Sequence, residues 1–388
     1  MRTTIHLSGP ADVLAVLPYQ LGFHPRDALV AVSLHGTRMG LVQRIDLPPP
    51  EHVLDAVTAM IGPLRQDNPR AVLLIGFEER EGESRAMLDE MSRVCSAHGV
   101  EVHDRMVVRG GRWYNLDCIQ SCCPTEGREL PAPSEVPAVA EFVGRGICPL
   151  PDRSALADRV EISSPLVSRA MSTLADEWLA LRREAMDVDE SGLRYKGSEL
   201  NGTESELDES QSELDEAESE LHACRASELA VWSRVLCDQD DAEPVQALPP
   251  QDLAMLAVSL TDVDLRDGLI AWLCPGTLPP ELIDPMLFDQ MSHALVEPVW
   301  LNGDRGDVEQ VMALQRVEHR LCELCAALPD EWAVSTLTVL ASFTWWRGDG
   351  ALTRIALDRA LRVDPHYRLA QLLERMVDLA IRPERAIA

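Results

Sequence analysis

The spacing of apolar residues changes character near residue 150, and that change limits the fold more than any other feature of the chain. Before it, a period of two alternates with a period of 3.6; after it, only the helical period persists. A half-buried strand and an amphipathic helix cannot share one pattern, so the two parts are expected to fold differently.

In the first part, Asp12 to Leu21 reads as a short helix stopped by Gly22. Ala28 to Leu34 and Met39 to Asp46 read as strands joined by a turn at His35-Gly36-Thr37. Glu51 to Arg65 has helical spacing, and Ala71 to Phe77 is a nearly unbroken apolar run of the kind a strand buried on both faces carries. Glu83 to His98 is a further amphipathic helix, stopped by Gly99. Val100 to Val108 is a strand, which Gly110-Gly111 turns into another near Trp113. The order αββαβαββ predicts a mixed sheet covered by helices, in the α+β or α/β class, over residues 1–150.

Leu166 to Met186, Ser227 to Cys237, Asp252 to Leu260, Leu265 to Leu273 and Val308 to Leu328 all fit helical spacing. The expected organisation is a helical segment over 151–196, an acidic low-complexity linker over 197–221 and an all-helical domain over 222–388. The linker repeats Ser-Glu-Leu every seven residues, with Leu200, Leu207, Leu214 and Leu221 in register. Ten acidic residues and no basic one lie between Gly197 and Leu221. A coiled coil wants two apolar positions per heptad, but the second position here holds Gly197, Glu204, Gln211 and Glu218. One Leu per heptad buries little, which predicts a solvated, in part helical, linker.

Residues 334–365 can be laid without gaps on a single tetratricopeptide-like helical hairpin. Leu337, Leu340 and Ala341 take the first-helix packing positions, Arg347-Gly348-Asp349 the turn, and Leu357, Ala360, Leu361 and Asp364-Pro365 the second helix. Thr353 stands where Ala is usual. A solenoid needs about three such units, so one unit predicts a hairpin packed on its own domain, with Ala360 at the close crossing and Leu357 and Leu361 beside it.

Four segments in order resemble one family: SGPADVLAVLPYQLGFHP with ALVAVSLHGTRMGLVQRIDLP, then CIQSCCPTEGREL, LRDGLI, and ASFTWWRGDGALTRIALDRALRVDPHYRLAQLL. Together they are similar to the actinobacterial proteins grouped as domain of unknown function 4192, across nearly the whole chain except the acidic repeat, which looks like an insertion. The resemblance implies a shared fold and carries no assigned activity. Ala28 stands where the resemblance leads one to expect Ser, so no catalytic hydroxyl is carried to that position.

Composition excludes several chemistries. Lys196 is the only lysine and borders the acidic repeat, which leaves no lysine for a P-loop, a protein kinase, a pyridoxal phosphate enzyme or a Schiff-base aldolase. A net charge of −29 disfavours broad nucleic-acid binding. No apolar run reaches the roughly 20 residues that a membrane helix needs, and the opening residues lack the pattern of a secretory signal, so a cytoplasmic location is expected. The ten cysteines then read as reduced thiols.

Candidate sites remain. Cys118, Cys122 and Cys123, with Cys148 downstream or His103 as an alternative, offer thiol ligands for zinc, against a reading as packed thiols. His319, Cys322 and Cys325 share a helix, but His319 and Cys325 face different sides, which favours core packing. Asp187, Asp189, Ser191 and Gly192 match the first half of a calcium loop; Arg194 and Ser198 break the second half, with Glu199 one position late. His24, Arg44 and Asp46 lie at strand ends, although Gly22-Phe23-His24-Pro25 is a better turn than a catalytic segment. With no catalytic signature, the sequence points to a non-enzymatic interaction or regulatory protein that meets a protein partner through its helical half. The alternative is an enzyme with its site at the N-terminal strand ends, zinc-assisted through the cysteine loop.

Overall fold

The structure, a computed structural model, describes residue 7 and residues 9–118, 123–164, 169–183, 204–237, 239, 242–301 and 308–381, with backbone alone for 204–218. Its residues fall into two compact units. One is residues 3–156 with 374–382; the other is residues 157–373.

The first unit is built on a six-stranded sheet. Its helices are α1 (Pro10–Leu21), α2 (Val53–Asp67), α3 (Arg85–Ala97) and α4 (Pro137–Val143). Its strands are β1 (Ala28–His35), β2 (Arg38–Asp46), β3 (Ala71–Phe77), β4 (Glu101–Arg109), β5 (Arg112–Asn115) and β6 (Arg128–Glu129), in spatial order β2-β1-β3-β4-β5-β6. Neighbouring strands are antiparallel except β3 and β4, which run parallel with α3 as the crossover. The predicted mixed sheet and element order are thus present, with β6 and α4 in addition.

All seven residues of β3 are buried because the strand is central and covered on both faces. Leu29, Ala31, Val72 and Leu74 pack with Val57, Met60, Ile61 and Leu64 of α2 and with Met87, Leu88, Met91 and Cys95 of α3. The alternate residues Val30, Val32, Leu73 and Ile75 are buried as well. Each such side chain contributes about 1.5–3 kcal/mol. Register places Ala28 opposite both Asp46 and Phe77, and Phe77 opposite Val108. The start of β1 and the ends of β2, β3 and β4 therefore lie at one end of the sheet.

The second unit is all-helical among its described residues. Helix α5 (Arg153–Ala157) leads into it; α6 covers 169–183, followed by α7 (Glu204–Val235), α8 (Pro250–Ser259), α9 (Val263–Leu273), α10 (Pro285–Ala294), α11 (Val308–Ala327), α12 (Asp330–Arg347) and α13 (Gly350–Val363); α14 (Arg368–Asp378) begins in this unit, and its residues from Glu374 onward belong to the first. Residues 204–221 of the acidic stretch form the first part of α7, so this part of the expected linker is helical; residues 197–203 lie outside the described residues. No helix among the described residues is long and apolar enough to cross a membrane.

Helix ends in this unit are tied down by buried arginines. Arg320 donates to the carbonyls of Arg234 (2.7 Å) and Val235 (2.9 Å), closing α7. Arg359, fully buried, donates to the carbonyls of Cys325 (2.8 Å) and Leu328 (3.1 Å) at the end of α11 and to Asp330 at the start of α12. These carbonyls have no partner inside their own helix, and burial without a donor would cost about 1–3 kcal/mol each.

Helices α12 and α13 form a hairpin. Gly348, at φ 94°, ends the first helix, and the Asp349 carboxylate accepts from Leu352 N at 3.0 Å to start the second. Thr353, fully buried where a small apolar residue was expected, shares a 2.9 Å hydroxyl hydrogen bond with Thr344 across the helix pair. Ala360 and Leu357 are fully buried, whereas Leu361 is only half-buried. Ala360→Leu is expected to overpack the crossing and cost about 1–3 kcal/mol. A urea midpoint lowered at unchanged slope is the expected result, and a midpoint equal to that of the parent protein would remove Ala360 from the contact.

Candidate functional site

The end of the sheet where parallel β3 and β4 finish is the place an α/β fold offers for a ligand. Its deepest polar group is Glu78, directly after β3, with a side chain only 2% exposed. One carboxylate oxygen accepts from Ser84 N (2.9 Å) and Ser84 Oγ (2.7 Å); the other accepts from Gly82 N (3.1 Å) and Arg109 Nη1 (2.7 Å). Glu78 therefore holds the turn that starts α3 and ties it to β4. Gly76 makes this possible, because a Cβ there would sit 2.3 Å from Ser84 Oγ. Arg109 in turn lies over the Tyr114 ring at 4.8 Å, which packs against Gly127. Burial pushes the Glu78 carboxyl up, but the Ser84 and Gly82 hydrogen bonds and Arg109 outweigh it and leave its pKa below the ordinary value.

Along the same end, Arg44 donates from Nη2 to Asp46 (2.5 Å) and to the Arg26 carbonyl (3.2 Å) and lies over the Phe23 ring at 5.7 Å. The His24 backbone N–H donates to the Leu150 carbonyl at 3.0 Å, and Phe23 bridges Leu150. The segment is thus paired as a short extended bridge. The ring of His24 reaches solvent; partial burial and then the Arg26 charge hold its pKa below the ordinary value. His24, Arg44 and Asp46 share this end of the sheet, but Arg44 and Asp46 pair with each other.

Sequence reading missed a Ser–His–Asp set at the opposite end. Asp67, the last residue of α2, accepts at one oxygen from Ser33 Oγ, from His35 Nε2 at 2.9 Å and from Leu41 N at 3.2 Å. In a hydrolase triad the imidazole stands between hydroxyl and carboxylate and takes the hydroxyl proton. Here hydroxyl and imidazole converge on the same oxygen, so His35 is not placed as a base for Ser33. The group fastens the register shift between Val32 and Leu34 to the end of α2. Gly40 leaves the room, since a Cβ there would lie 2.5 Å from Ser33 Oγ.

The cysteine loop begins after β5. Cys118 N donates to Asn115 Oδ1 at 3.0 Å in an Asx turn; Cys118 and Cys123 are half-buried and Cys148 is exposed. Cys122 lies outside the described residues, as does the calcium-like stretch 187–199. His103 is exposed beside Asp104. Among the described residues no three His, Cys, Asp or Glu side chains gather as a metal would require. Cys322 and Cys325 are buried in the α11 core while His319 points outward, 64% exposed.

The helical unit holds its own buried charges. Arg182 of α6 donates to both oxygens of Glu228 in α7 (2.8 and 3.1 Å) and to Asp262 (2.9 Å), the N-cap of α9; Arg225 donates to Asp262 at 2.9 Å. Trp178 Nε1 adds a bond to Glu228 at 3.2 Å. At the hairpin turn, burial and the neighbouring Glu318 push Asp349 up to about 6, while Arg159 and Arg347 pair with Glu318. A concavity of about 240 Å³ lies between Arg234, Cys237, Glu243 and Arg320, below the size that usually holds a small-molecule ligand.

The same unit carries large apolar side chains in solvent. Phe288 of α10 is 45% exposed with its ring edge on Trp272 (6.2 Å between centroids), and Val296 is 74% exposed. Trp272, Val296 and Trp300 wall a shallow cleft.

A sequence model of one family matches residues 10–279 and 309–384. The chain belongs to the DUF4192 family, a domain of unknown function. No curated protein and no solved structure matches it significantly. The first matched segment of this DUF4192 chain runs through the acidic repeat, and residues 280–308, which include α10, fall between the two segments.

Because the folded-state pKa of Glu78 is depressed, its stabilisation is present above the unfolded value and is lost as pH falls through the folded one. Glu78→Gln is expected to destabilise the first unit at neutral pH by about 1–3 kcal/mol and to flatten the loss of stability as pH falls below the ordinary carboxylate range. Thermal midpoints measured as pH is lowered check this, and parallel curves for the two proteins would contradict it.

Proposed function

We propose that this chain is a non-enzymatic cytoplasmic protein that acts by binding a protein partner through its helical unit. The observation that supports this reading is the solvent-facing apolar surface around α10, where Phe288 and Val296 flank Trp272. Contiguous exposed apolar groups on a globular protein mark interaction sites more often than they are left bare. The polar groups at the sheet ends point the same way. Glu78, Arg44 and Asp67 each have hydrogen-bond partners that fasten backbone or neighbouring side chains, and no nucleophile, base and orienting group stand in line among them.

Under this reading the sheet unit serves as a scaffold and the helical unit carries the recognition surface. Affinity capture of the full chain from its native host, followed by hydrogen exchange on the captured complex, tests it. A protein retained near stoichiometry that slows exchange in the helical unit is the expected result. A small molecule retained instead, with protection at His24, Arg44 and Asp46, would make the strand ends the working site and overturn the proposal.

A further inference from the structure

The surface around α10 has a chemistry that selects its occupant. Helix α10 packs on α9 through Leu287 and Met291, at a point where Gly268 has no Cβ to keep them apart: one there would meet Met291 Sδ at 3.0 Å. Fixed in this way, α10 turns Phe288 outward against Trp272, and Trp272 continues through Val296 and Trp300 into the cleft. Trp300 is anchored by its indole N–H on the Leu273 carbonyl at 3.1 Å. The aromatic groups are therefore held in place before anything binds, which lowers the ordering cost of an encounter.

The rim is acidic. Between Arg266 and Arg305 the sequence contains no Lys or Arg; Glu297 lines the cleft, and Glu281, Asp284 and Asp289 of the same stretch of chain are exposed. Asp289 is 70% exposed, with His293 as its neighbour. The whole chain carries −29. A second copy of the same surface would bring like charges face to face across a two-fold axis, and an anionic membrane would meet the same repulsion. An apolar cleft between helices with an acidic rim complements an amphipathic helix whose polar side is Lys- and Arg-rich. Phe288, Val296 and Trp300 lie in the stretch between the two family-matched segments, whereas Trp272 lies within the first.

We infer that the cleft walled by Trp272, Val296 and Trp300, together with Phe288 against Trp272, docks the apolar face of a basic amphipathic helix from another protein. The inference rests on the interaction reading above and names the partner's chemistry.

The test uses the full chain and a labelled synthetic helix of about 18 residues, five turns long, with Leu on one face and Lys and Arg on the other. A counterpart carries Glu in place of Lys and Arg. Fluorescence anisotropy is expected to show saturable binding of the basic peptide and none of the acidic one. Phe288→Asp and Val296→Asp should each weaken binding by about tenfold or more. The sign is informative: each substitution adds a negative charge, so mere adsorption of a cation to an acidic surface would tighten. Val296 is 74% exposed, so its variant keeps the test valid if Phe288→Asp fails to fold. Unchanged or tighter binding by both variants would overturn the inference. So would a dimer of the parent protein in sedimentation equilibrium that Phe288→Asp dissolves, because the occupant would then be a second copy. A natural partner captured by the chain but protecting another face would remove this cleft as the site and leave the interaction reading standing.

Discussion

Two arginines and two carboxylates buried together hold the helical unit in its arrangement. Arg182, Arg225, Glu228 and Asp262 are each less than one-tenth exposed. Charges taken out of water cost several kcal/mol apiece unless each finds partners of good geometry. Here the sum of charges is zero, and Arg182 spans both acids. Burial raises the pKa of Glu228 in spite of Arg182 and Trp178, while Arg182 and Arg225 hold Asp262 low against its own burial. Asp262 meanwhile caps α9 through Asp264 N and Leu265 N. One network thereby fixes α6, α7 and the turn between α8 and α9. In sequence, Arg182 precedes the acidic stretch and Arg225, Glu228 and Asp262 follow it.

The same constraint recurs in the sheet unit. Glu78 and Asp67 are each satisfied by N–H and O–H donors, with Arg109 added in one case and His35 in the other. Arg320 and Arg359 cap helix carbonyls. A planar guanidinium with five donors suits these roles better than an ammonium, and in a chain with a single lysine Arg takes all of them. Several buried charged groups thus hold backbone in both units.

The sheet was legible because its signals are local. The apolar run Ala71 to Phe77 is β3 residue for residue, and the hairpin of β1 and β2 and the period of α3 are each written within about twenty residues. The fasteners were not legible, because their partners are distant: 34 residues separate Ser33 from Asp67, 31 separate Glu78 from Arg109 and 80 separate Arg182 from Asp262. No periodicity encodes such pairs. Helix α10 was missed because only Leu287 and Met291 face inward, too short a stripe to register. The helix at the start of α7 follows from propensity more than from burial. Glu, Leu, Gln and Ala are good helix formers, and the core-packed part of α7 from Arg225 onward supplies a nucleus from which the helix extends back.

A double-mutant cycle on Arg182 and Glu228 tests the fastening role most directly. Arg182→Met and Glu228→Leu each leave the buried cluster with one uncompensated charge, and each should cost about 3–5 kcal/mol by urea denaturation. The double variant, in which Arg225 still pairs with Asp262, should recover most of that loss. Two single losses that simply add in the double variant would contradict a coupled network and with it the role assigned to the buried charges.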